Sequence, residues 1–192
     1  MDEMDDAQAR EHIEMVQRIL AQTSQRLCAG GEFFVVWGLY SGFVTSINQV
    51  INDGLISPVW IWAVVPALAA CVLFSILRGR ATALDAGRKT LLQREFLNVL
   101  WLTIGLAFIA NLGAFNLFRG WGNAAIWSFG EAIVLFYIGL HGNRRAMLGG
   151  IAVIVSMVVA NFSAQTIAGY ILAAGMVAGY TGFGIAEMLS RE

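Results

Sequence analysis

One charged side chain lies deep inside an apolar stretch of this sequence. It is Glu131, near the middle of Gly122–His141. A charge at the centre of a membrane helix costs about 2.5–3.5 kcal/mol on insertion scales, so a residue placed there faces other helices or a wet cavity. A carboxyl at that depth can take and release a proton or hold a cation, which is the chemistry of proton relays and cation sites. A carboxyl that only hydrogen-bonds a neighbouring helix answers the same physics without transport. Polar residues at matching depth are Asn111, in the third apolar stretch, and Ser41, Thr45 and Asn48 in the first. Spacings of four and three place Ser41, Thr45 and Asn48 on one helix face. With Glu131 and Asn111 they would form a site for a proton, a cation or a polar solute, entered from the side away from the termini. Hydrogen bonding between helices accounts for them equally well.

His141 follows Glu131 by ten residues, about 15 Å along a helix, so the two cannot act as an acid–base pair. It lies at a span boundary beside Arg144 and Arg145, as an interfacial residue whose charge can respond to pH. There is no GxSxG, no HExxH and no glycine-rich phosphate loop, and the two histidines, His12 and His141, are far apart. The sequence therefore offers no catalytic set, no metal site and no cofactor site. An enzyme acting on a lipid-like substrate is the least supported reading. Cys28 and Cys71 form no CxxC and read as free thiols.

The elements that must position these residues are membrane helices. Of 192 residues, 58% are hydrophobic and 13% charged, with mean hydropathy +0.68. Soluble domains carry about 25% charged residues. A helical span needs roughly 20 apolar residues. Six stretches answer: 33–51, 57–77, 96–118, 122–141, 146–161 and 164–188. The fold expected is all-α, a polytopic integral membrane bundle over residues 31–192, preceded at 1–30 by a cytosolic amphipathic helix and a Gly-containing linker.

Eleven of the twelve basic residues fall before the first stretch, between the second and third, between the fourth and fifth, or after the sixth; only Arg119 lies opposite. By the positive-inside rule both termini are expected to be cytosolic, and the membrane expected is the plasma (inner) membrane. Residues 5–27 repeat apolar side chains at Ile13, Val16, Leu20 and Leu27, with acids early and Arg18 and Arg26 late. A helix meant for anionic lipid would be more basic. Its stripe should meet protein: its own bundle, a second copy in a homo-oligomer, or a cytosolic partner. A net charge of −1 gives no reason to expect nucleic acid.

Gly38 and Gly42, and Gly175, Gly179 and Gly182, form small-residue faces suited to close helix packing. Pro66 should bend the second span. The loop from Arg78 to Glu95 is locally cationic. The first and third spans begin alike (Glu32-Phe33 to Trp37, Glu95-Phe96 to Trp101), as duplicated hairpins would. Two functions follow. The first is a small proton- or cation-linked solute transporter or channel built on Glu131. The second is a non-catalytic sensor or regulatory anchor acting through the N-terminal helix.

Overall fold

The computed structural model of the chain describes residues 14–16, 30–86, 91–114 and 121–190. Among them every regular element is helical, and six helical spans are long and apolar enough to cross a membrane. The spans are α1 (Gly31–Asn52), a 3-10 turn (Pro58–Ala63) running into α2 (Val64–Ala86), α3 (Leu91–Ala114), α4 (Trp121–Leu140) and α5 (Arg144–Asn161). The sixth is α6 (Gln165–Met176), continued through a π turn (Val177–Thr181) into α7 (Gly182–Leu189). Six spans put both ends of the bundle's chain on one side, the terminal end. The amphipathic helix expected over 5–27 lies outside the described residues, except for 14–16, which are helical and exposed.

Local chemistry sets the ends of the spans. Gly54 and Gly142 take φ of 73° and 99°, a left-handed backbone that glycine adopts without a Cβ penalty, just after α1 and α4. Asn143 then caps α5, its Oδ1 accepting from Arg145 N at 3.1 Å and Ala146 N at 3.3 Å. Pro66 occupies the first turn of α2, where the missing N–H breaks no helical bond, and the span changes from 3-10 to α geometry just before it. One expectation is corrected: the basic stretch after Arg78 is no simple loop, because α2 runs on to Ala86 and α3 starts at Leu91. Ala81, Ala83 and Ala86 favour that extension.

The sixth span is the centre of the bundle. It packs against α1, α4 and α5, and α4 also packs on α5. Half of its most apolar window is buried, against 6% for the second and third spans. Those two are peripheral: α2 lies on α1, α3 lies on α4, and among the described residues they share no more than isolated contacts with anything else. The two resembling starts, α1 and α3, thus occupy unlike places, one central and one at the edge.

Lipid supplies no hydrophobic drive for one span to join another, so association relies on close packing. Glycines allow it here. A Cβ on Gly38 would lie 2.6 Å from Thr181 Oγ1, one on Gly42 would meet Val177, and one on Gly175 would overlap Ser156. One on Gly179 would lie 2.7 Å from Gly149 O. Gly182 departs from the expected stripe, since nothing stands within 4 Å of its Cβ position. The π turn, Val177–Thr181, changes the helical phase ahead of Gly182, which is exposed.

At the far end Gln49 locks α1 to α6. Its buried amide donates to Gln165 O at 2.9 Å and to Asp53 Oδ1 at 2.8 Å, and its Oε1 accepts from Gly169 N at 3.2 Å. Gln165 O and Gly169 N are one turn apart on the sixth span, so the side chain bridges both ends of its first turn. Gly169 leaves the room for it, as a Cβ would come within 2.9 Å of Gln49 Cβ. Gln49→Ala removes these bonds and empties a buried site between α1 and α6. The expected loss is about 1–3 kcal/mol of stability, read by thermal unfolding in detergent. An unchanged midpoint would mean that the clasp contributes nothing.

Candidate functional site

Glu131 stands at the middle of the 20-residue α4 and Ser41 at the middle of the 22-residue α1. Ser41 Oγ donates to Glu131 Oε1. The side chain as a whole is half-buried, yet Oε2 is shielded from solvent and has no hydrogen-bond partner. Leaving a buried polar atom unsatisfied costs about 1–3 kcal/mol, so this carboxyl is held in a state that packing alone would avoid.

Helical phase explains how the pair comes to face each other. On α4, Glu131 lies between two contact faces. Gly130 and Tyr137 meet α3, with a Gly130 Cβ position 3.2 Å from Thr103 and the Tyr137 ring 6.3 Å from that of Phe96. Leu135 and Gly139 meet α5, at Gly149 and Met147. On α1, Ser41 lies between Gly38, Gly42 and Thr45, which face the sixth span, and Trp37, whose Nε1 donates to Ser75 of α2 at 3.0 Å. The two residues therefore occupy the seam where α1 and α4 meet.

Of the other polar residues singled out by the sequence, none has a hydrogen bond to Glu131. Thr45 is buried and its Oγ1 donates to Met176 Sδ at 3.4 Å. Asn48 and Asn111 are half-buried, and each donates to its own helix, at Val44 O and Ala107 O, both at 3.0 Å. Asn48 shares the Ser41 side of α1, and Asn111 lies one turn beyond Ala107 on the α3 face toward α4. His141 is exposed at the terminal end of α4, its Nδ1 2.8 Å from Tyr137 O and its ring 4.5 Å from the Tyr137 ring. It belongs to no group with Glu131.

Two features at this level were not read from the sequence. The π turn brings buried Tyr180 and Thr181 against Gly38, and Tyr180 lies within electrostatic reach of Glu131. π turns inside α-helices recur at functional sites. No periodicity argument finds one, because the stripe of small residues reads the same with or without the inserted residue. The other is Asn123, two turns before Glu131 on α4, whose buried Oδ1 also lacks a partner. Among the described residues no three His, Cys, Asp or Glu side chains come together.

These features define a class: a polytopic α-helical membrane bundle with one carboxyl at the seam between two central spans. No family model matches the chain, and neither a curated protein nor a solved structure does.

Proposed function

We propose that the protein is a small proton- or cation-linked solute transporter or channel of the plasma membrane, with Glu131 as the group that takes up and releases the ion. The observation that carries this reading is the shielded, unpartnered Oε2 of Glu131 at mid-span. A carboxyl serving only as a tie between helices would gain by satisfying both oxygens, and Ser41 satisfies one. An ion or proton completes the other. The basic residues gathered at the terminal end support a cytosolic placement of that end.

The test is labelling of Glu131 by a hydrophobic carbodiimide, which attacks carboxyl groups within the membrane. Full-length protein in vesicles is labelled across pH and against a panel of cations and small solutes. Labelling that titrates with pH and is slowed by a particular ion or solute is the expected result. Labelling indifferent to pH and to the whole panel would leave Glu131 a tie between α1 and α4 and overturn the proposal.

A further inference from the structure

The seam that holds Glu131 opens toward the bilayer between two spans that stand apart. The second span packs on α1 and the third on α4, with no more than isolated contacts between them among the described residues. The wall they leave between them is α1 and α4, and Glu131 and Ser41 sit where those helices meet. The result is a lateral groove with apolar flanks, since α2 and α3 carry Leu68, Val72, Leu106 and Phe108 exposed. Trp127 lies one turn from Glu131 on the same face of α4 and is 38% exposed, an aromatic ring on the approach to the carboxyl.

Charge and coordination narrow what this groove can hold. One carboxyl balances a single positive charge, and Glu131 is the one acid deep within an apolar stretch of the sequence. A divalent ion would keep an uncancelled charge in hydrocarbon, and calcium needs six to eight oxygens in any case. A bare alkali ion also needs several oxygens, where the seam offers one carboxyl and the Ser41 hydroxyl. An anion would meet the carboxylate. A cation whose charge is spread over an apolar body needs no such shell, and an aromatic face attracts it.

We propose that the groove binds a monovalent organic cation with an apolar or aromatic body, its charge at Glu131 and its body against Trp127 and the flanks of α2 and α3. This rests on Glu131 being an ion site as described above and names the class of solute it takes. Proton and cation compete for the same carboxylate: binding the cation leaves no place for the proton, which departs to water, so one positive charge replaces another.

The experiment uses full-length protein in phospholipid vesicles with tetraphenylphosphonium as the probe. Tetraphenylborate serves as the anion of the same shape, and sodium and calcium chloride as inorganic controls. Saturable binding of tetraphenylphosphonium is expected, with slowed carbodiimide labelling of Glu131. Affinity should fall as the pH is lowered, and Glu131→Gln should abolish binding. Trp127→Ala should weaken it about tenfold, and Trp127→Phe, which keeps an aromatic face, by less. Equal binding of tetraphenylborate would reduce the effect to partition into lipid and overturn the proposal. So would tetraphenylphosphonium affinity indifferent to Trp127→Ala, or protection of Glu131 by sodium or calcium alone. In each of these cases pH-dependent labelling would persist and leave the ion site standing. Labelling that ignores pH and every probe would remove both.

Discussion

Glu131→Leu is expected to raise the thermal stability of the protein while silencing its site. The substitution removes a shielded oxygen that has no partner and puts in its place an apolar side chain of similar size. Exchanging buried polar or charged groups for apolar ones of like volume is often neutral or stabilising, by about 1–4 kcal/mol in favourable cases. Ser41 loses its acceptor but can turn to a carbonyl one turn back on α1, as Ser75 does toward Cys71 O at 2.8 Å. A stabilised variant without carbodiimide labelling is the signature of a residue kept for what it does, since it burdens the fold that carries it. Unfolding in detergent measures the first effect and mass spectrometry of the labelled protein the second. A clear fall in stability would make Glu131 a pillar of the α1–α4 seam and remove the functional reading. Glu131→Gln is the companion variant: it keeps an acceptor for Ser41, holds stability near the parent, and cannot titrate.

The largest loss of stability is expected at Gly38. A Cβ there would lie 2.6 Å from Thr181 Oγ1 and 2.7 Å from both Thr181 N and Tyr180 Cβ. The backbone nitrogen belongs to the π turn and cannot rotate aside as a side chain tip can. Overfilling a packed site typically costs about 1–3 kcal/mol, and a backbone obstacle puts Gly38→Ala at the upper end of that range. Gly38→Leu should not assemble, as read by aggregation on size exclusion. The contrast is Gly182→Ala, which meets open space and gains helix propensity; its unfolding midpoint should hold or rise slightly. Ser41 lies one turn from Gly38 on α1, so any Gly38→Ala protein that folds should also show altered reactivity at Glu131. Equal tolerance at the two glycines would mean that α1 and the sixth span are not packed as described.

Much of the architecture is legible in the sequence for a direct reason. A bilayer imposes length and apolarity on each crossing and asymmetry on the charges between crossings, and both requirements are local. They appear as six apolar stretches and as basic residues on alternate connections. Glu131 is legible on the same ground, because a charge at mid-span is costly whatever surrounds it. Its pairing with Ser41 is a different matter. Ser41, Thr45 and Asn48 share a helix face by spacing, but their separate angles on that face send Ser41 to α4, Thr45 to Met176 and Asn48 to its own backbone. Gln49 shows the converse. It reads as one more polar residue near a span end, and becomes a clasp because the start of α6 arrives beside it.

The sequence by itself determined the class of protein, the number of spans and the presence of one carboxyl that hydrocarbon must accommodate. The tertiary structure decided which spans are central, that α2 and α3 lie at the edge of the bundle, and that a π turn brings Tyr180 and Thr181 against Gly38. The division follows from the solvent. Membrane insertion is judged one segment at a time, so its rules are written along the chain. Packing between spans has no hydrophobic drive to mark its partners and depends on where small residues from distant segments meet. That meeting exists only once the bundle has assembled.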